Sequence, residues 1–139
     1  MERTRDVWLI NYLANHPSIR PGISLSDGSV ELDATDFVNH PDHIILADRY
    51  GVFVFVKMDE GVYDAHVMFL PAGRGPRLVP LFREAIRIMF TDYSAHTITG
   101  TAPDCNKQVR TLVDRVGFKP IRRATVLGQP GTFMVLNKD

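Results

Sequence analysis

The sequence holds a single cysteine, Cys105, so it can form neither an internal disulfide nor a cysteine-based zinc site. The lack of any bridge suits a reducing compartment. No apolar run approaches the roughly 20 residues that cross a bilayer, and Met1-Glu2-Arg3-Thr4-Arg5-Asp6 lacks the apolar stretch and cleavage site of a secretory leader. A cytoplasmic location without membrane attachment is the expectation. Net charge is also lacking, with 16 basic and 16 acidic side chains, whereas a protein that coats nucleic acid or a membrane needs a basic excess. Internal repeats, low-complexity tracts and linkers are missing as well, so a single domain over residues 1–139 is expected. What is present suffices for a core. With 139 residues and 45% hydrophobic content, folding hides roughly 68% of the unfolded chain's surface without staples or metals.

The neutral total conceals a division. Residues 1–70 carry five basic and eleven acidic side chains, net −6, and residues 71–139 carry eleven basic and five acidic, net +6. An anionic ligand is drawn to the second half and a cationic one to the first. His16, His40 and His43 lie near irregular segments without convergent acidic or thiol partners, so no metal site is expected.

Punctuation and periodicity predict the elements. Thr4 caps a helix that runs to Ala14 and stops at Asn15-His16-Pro17, with Trp8, Leu9, Tyr12 and Leu13 read as mostly core. Residues 18–33 read as irregular, and Asp33 caps a short helix to His40, stopped by Pro41. The β-branched and aromatic runs His43–Asp48, Gly51–Met58 and Gly61–Leu70 are separated by turn signals and predict an antiparallel meander. Leu78, Leu81, Phe82, Ala85, Ile86 and Met89 then recur at helical spacing, on a helix reaching about Phe90 with Pro76 at its first position. A strand over His96–Thr101 follows. Asp104 caps a second helix, with the stripe Val109, Leu112, Val113 and Val116 and with Gly117 as its left-handed cap. The strands Phe118–Leu127 and Thr132–Leu136 form a hairpin around Gly128-Gln129-Pro130-Gly131. Arg122 and Arg123 adjoin in the first of these and face opposite sides.

Two segments carry candidate chemistry. His66-Val67-Met68-Phe69-Leu70-Pro71-Ala72-Gly73-Arg74-Gly75-Pro76-Arg77 is a strand that feeds a glycine-bearing loop and opens a helix, an arrangement in which backbone N–H groups and the helix dipole hold phosphate. It matches neither the dinucleotide fingerprint Gly-x-Gly-x-x-Gly nor the P-loop. The second, Ile98-Thr99-Gly100-Thr101-Ala102-Pro103-Asp104-Cys105-Asn106, continues through Val109-Arg110 and Leu112-Val113 to Gly117-Phe118. It sets an asparagine at a strand-to-helix junction and Gly-Phe one helix later.

Together these segments resemble the GCN5-related N-acetyltransferase family, whose pattern is Asn-x-x-Ala-x-x-Leu-Tyr-x-x-x-Gly-Phe after a Gln/Arg-x-x-Gly-x-Gly/Ala loop. The resemblance covers nearly the whole chain and is similar in tone to small phage-encoded members at Asn15–Pro21 and Gly61–Pro71. It implies an α+β fold with three α/β/α layers, in which a mixed, mostly antiparallel sheet splays between its fourth and fifth strands. It further implies acetyl-CoA as cosubstrate, with pantetheine along Val67, Met68, Phe69 and Leu70, the pyrophosphate on the amides of Gly73, Arg74, Gly75 and Arg77, and Asn106 on the pantetheine side. Relatives are often dimers. The chain departs from the pattern at Ala72, at Arg77 and at Val113, which stands where the family carries the tyrosine thought to protonate the departing thiolate. A thiolate needs little help to leave, since a free thiol has a pKa of about 8.5.

On the central strand, alternation sends Asp64, His66 and Met68 to one face. By that resemblance His66 is the candidate base for an ammonium substrate, because histidine titrates near neutrality, and Asp64 is the candidate binder of the ammonium. The function implied is acetyl transfer from acetyl-CoA to an amine of a protein or small molecule. The altered loop and missing tyrosine leave an alternative: a non-catalytic protein on the same fold, a virion or host-interaction component if phage-encoded.

Overall fold

Strand β3, Gly51–Asp59, is apolar at nearly every position from Val52 to Val56, the mark of a strand covered on both faces. It lies between β2 (His43–Asp48) and β4 (Val62–Phe69), both antiparallel to it, so the meander forms as the turn signals predict. The computed structural model describes residues 1–23 and 30–139. The remaining part of the stretch expected to be irregular, residues 24–29, lies outside the described residues.

Seven strands form one sheet in the order β1-β2-β3-β4-β5-β7-β6. Here β1 is Glu2–Arg3, β5 Thr97–Pro103, β6 Lys119–Val126 and β7 Gln129–Asn137. β4 and β5 are parallel and joined by helix α3 (Leu78–Asp92), since a parallel pair requires a crossover. Helix α3 tolerates Pro80 because it falls in the first turn, where its missing N–H has no partner to lose. Helix α4 (Lys107–Val116) joins α3 on one face of the sheet, and α1 (Val7–Asn15) with α2 (Thr35–Asn39) covers the other.

Two cores result. On the α3 side Phe53, Phe69, Phe82 and Phe118 form a chain of ring contacts with centroids 4.9, 5.2 and 5.8 Å apart. On the α1 side Val52, Val54 and Met68 meet Ile10, Leu13 and Val38. The helical stripe on α3 is buried as its spacing predicts at Leu78, Phe82, Ala85, Ile86 and Met89, with Leu81 half-buried. The outcome is the expected three-layer α+β arrangement with a mixed sheet.

The boundaries bring corrections. Helix α1 begins two residues later than a cap at Thr4 predicts, because Asp6, not Thr4, accepts the N–H of Leu9 at 3.1 Å. The residues ahead of it are drawn into the sheet as β1, with Thr4 N donating to Ile45 O at 2.8 Å. Trp8 and Tyr12 are not core. They are 73% and 47% exposed and stack on each other on the outer face of α1. Pro76 sits in a turn ahead of α3 and not inside it. The hairpin closes in two residues, Leu127 and Gly128, both at positive φ (51° and 73°), so Gln129, Pro130 and Gly131 belong to β7 and not to the turn.

Candidate active site

Backbone alternation on β4 decides what is available for binding. Its odd-numbered residues turn N–H and C=O toward β5: on the preceding Gly61, the carbonyl accepts the N–H groups of His96 at 2.8 Å and Thr97 at 3.2 Å. The β4–β5 ladder then has three rungs, Val62 with Thr97, Tyr63 with Ile98 and Asp64 with Thr99, and stops. Past that point the two strands splay. The backbone edge of Ala65, Val67 and Phe69 is left facing the split, while Met68 faces β3 opposite Val52 and Leu70 N–H donates to Tyr50 O at 2.9 Å. Of the four residues expected along a pantetheine arm, Val67 and Phe69 therefore present backbone to the split, and Met68 and, just past the end of β4, Leu70 do not.

Asp64 stands at the last rung. The Thr99 hydroxyl donates to its Oδ1 at 2.7 Å, and its Oδ2 lies 3.0 Å from His66 Nε2. Thr99 is buried, the Asp64 side chain is 21% exposed and the His66 side chain 53%. The two candidate residues are thus brought together on the α1 face, with the imidazole outermost. Thr99 escaped the sequence reading because a threonine in a strand is an ordinary β residue.

The glycine loop is a short 3₁₀ turn, Pro71–Gly73, followed by Arg74 and Gly75. Gly73 is structural: a Cβ there would lie 2.5 Å from the Tyr50 Cβ. Its N–H donates to Leu70 O, and that of Arg74 donates to Pro71 O. Among the described residues no acceptor takes the amides of Ala72, Gly75 and Arg77, and the last two lie beyond the 3₁₀ turn, toward α3. Gly75 has φ +97° and its Cβ direction meets nothing within 4 Å, which a side chain would fill at the cost of backbone strain. The Arg77 side chain folds back, Nη1 donating to Ala72 O at 3.2 Å with the guanidinium over the Tyr50 ring. That of Arg74 enters the split and bridges Phe69 O and Ser18 O, both at 2.9 Å.

At the far wall Asn106 caps α4, its Oδ1 accepting the N–H of Val109 at 3.1 Å. This corrects the assignment of the cap to Asp104, whose carboxylate instead grips Arg123 and is held below its ordinary range by that hydrogen-bonded guanidinium. Cys105 beside it is exposed.

These parts enclose an open cleft of about 630 Å³ lined by Val67, Phe69, Arg74, Gly75 and Asn106 among the expected residues. Asp64, His66, Met68, Leu70, Gly73 and Arg77 do not line it. The sequence reading missed Ser18–Ile19 and Pro21–Ile23 on one side and Lys107, Thr111 and Arg115 on the other. The last three recur every four residues beside the apolar stripe of α4, a signal that was there to be read. Chemically, the cleft offers a strand edge without a strand partner, the free amide of Gly75 and three cationic side chains, and outside its lining an exposed imidazole stands beside a carboxylate.

No family model matches the sequence, and no curated protein matches it either. Solved structures do. Spermidine N-acetyltransferase from Vibrio cholerae in complex with CoA and spermine superposes with a TM-score of 0.77 over 96% of this chain and 90% of that one, at 15% identity. Aminoglycoside acetyltransferase AAC(6')-Ib in complex with coenzyme A gives 0.74 over 96% and 90%, at 14% identity. Ribosomal-protein-S5-alanine acetyltransferase from Vibrio fischeri gives 0.73 over 97% and 88%, at 10% identity. The chain has the fold of the GCN5-related N-acetyltransferases: an α+β sheet with a parallel β4–β5 pair that splays, flanked by helices on both faces.

Proposed function

We propose that the protein is an acetyl-CoA-dependent N-acetyltransferase acting on a primary amine. The observation that carries this reading is the β4 edge at Val67 and Phe69, which has no strand partner past Asp64 and opens on a cleft with cationic side chains from the loop and from α4, Arg74 among them seated on Phe69 O. The edge suits the amide groups of a pantetheine arm, and the free amide of Gly75 with the Lys107 and Arg115 side chains suits its phosphates. The bound cosubstrate supplies an acetyl thioester. The chain's own residues do the rest: Phe69 N–H polarises the carbonyl from the strand edge, and His66 takes a proton from the incoming ammonium. The freed amine bonds to the carbonyl carbon as the carbon–sulfur bond breaks, and its second proton goes to the thiolate.

Val113 is half-buried against the α3-side core and offers no hydroxyl to the leaving group, so thiolate departure relies on its own stability. A non-catalytic binder on this fold is the second reading, favoured by Val113 and by the Arg74 guanidinium seated on Phe69 O. The acceptor amine, and whether it belongs to a protein or a small molecule, follows from a substrate panel.

Thermal unfolding with acetyl-CoA tests the reading. At 100 times the dissociation constant the fold gains about 2.7 kcal/mol, a rise of about 8 °C in Tm for a domain of this size. No shift at millimolar acetyl-CoA in a folded protein overturns it.

A further inference from the structure

Among the described residues the buried polar or charged side chains are Arg20 and Thr99. The hydroxyl of Thr99 is spent on Asp64 Oδ1 at 2.7 Å. The two residues face each other across the last rung of the β4–β5 ladder, so the backbone fixes both ends of that hydrogen bond. The terminal torsion of an aspartate is otherwise broad, and this carboxylate is open enough to solvent to turn. With Oδ1 held by Thr99, Oδ2 is held toward His66 Nε2, 3.0 Å away.

We infer that Thr99 is a positioning residue that acts through Asp64 to fix which nitrogen of His66 accepts the substrate's proton. An ionised carboxylate has acceptors only, and its oxygen beside Nε2 favours a proton on that nitrogen. The neutral imidazole then carries its lone pair on Nδ1, which no partner engages among the described residues. In the transfer, the ammonium N–H bond breaks, the Nδ1–H bond forms, the ring becomes imidazolium, and the amine keeps the electron pair with which it attacks. The direction of that proton rests on the acetyltransferase reading. The ring setting does not.

Two measurements on the full chain separate these. Nitrogen-15 NMR of the histidine rings at a pH where they are neutral is expected to show the Nε2–H tautomer for His66. It is expected to show a mixture in Thr99→Val, which keeps the side-chain shape and loses the hydroxyl, and the wild-type pattern again in Thr99→Ser. In steady-state kinetics with acetyl-CoA and an amine acceptor, Thr99→Val lowers kcat about tenfold with KM for acetyl-CoA unchanged, and Thr99→Ser restores it. A wild-type Nδ1–H tautomer, or a Thr99→Val protein with wild-type tautomer and kcat, overturns the inference. A wild-type protein that shows the Thr99-dependent tautomer and transfers no acetyl group overturns the acetyltransferase reading and keeps the ring-setting role.

Discussion

A valine at position 75 cannot keep a φ of +97° without strain, and relaxing it moves the free amides of Gly75 and Arg77. His66 is a different case, since its side chain lies outside the cleft lining and on the opposite face of β4 from the α3-side core. The two substitutions are therefore expected to split binding from turnover. Gly75→Val weakens CoA binding at least tenfold, about 1.4 kcal/mol. His66→Ala lowers kcat by about 10²-fold and leaves CoA affinity near wild type. Calorimetric titration with CoA beside steady-state rates checks both, and equal loss of affinity in the two variants contradicts the assignment. At this scale residue type alone singles out Asp64, His66 and Gly75 as candidates, and the structure sets the first two 3.0 Å apart on one face of β4 and gives the third a positive φ. The sequence was silent where the role comes from a partner across the sheet. Asn106 and Asp104 are both good capping residues two positions apart, and only the place of Arg123 on β6 decides that Asp104 pairs with it while Asn106 caps the helix.

The pairing of Asp104 with Arg123 joins two elements, tying the β5–α4 connection to the β6–β7 hairpin, where Arg123 Nη1 also donates to Thr132 Oγ1 at 3.0 Å. The hydrogen-bonded guanidinium holds the Asp104 carboxyl below the ordinary value of 3.8. A depressed folded-state value means that the stabilisation is present above the unfolded value and is lost as pH falls through the folded one. Asp104→Asn is therefore expected to lower the urea midpoint at neutral pH, and the gap to wild type closes on acidification below the ordinary carboxylate range. A gap that persists unchanged in acid would mean that the ion pair contributes nothing. The elements themselves were legible where a period runs for several residues, as in β2, β3, β4, α3 and α4. Short or two-residue features were not: β1 has no period to show, and a hairpin closed by Leu127 and Gly128 hides behind the louder Gln129-Pro130-Gly131 signal.

For the whole molecule, the sequence's division of charge acquires a location. The cationic side chains that line the cleft, Arg74, Lys107 and Arg115, all come from the basic second half. Arg83 holds Arg115 in place by donating to its carbonyl at 2.7 Å. The acidic first half supplies the α1 side, with Asp64 facing it on β4. On the proposed function, the cationic side chains of the cleft attract an anionic cosubstrate while Asp64 on the α1 face attracts a cationic acceptor, and the splay after Asp64 and Thr99 is where the two regions meet. The splay could not be read from periodicity, because it is a property of two strands parting and not of either strand alone. If the phosphates of CoA are held by this field, affinity must depend on salt, since screening shortens from about 10 Å at 0.1 M to about 3 Å at 1 M. CoA affinity is expected to fall about tenfold over that range, whereas pantetheine, which lacks the phosphates, binds weakly and without salt dependence. Lys107→Glu combined with Arg115→Glu should flatten the salt dependence of CoA binding, and Lys119→Glu combined with Arg122→Glu on β6, outside the cleft lining, should leave it unchanged. Equal salt dependence in both double variants would mean that net charge alone attracts the ligand, and that the α4 face of the cleft does not hold its phosphates.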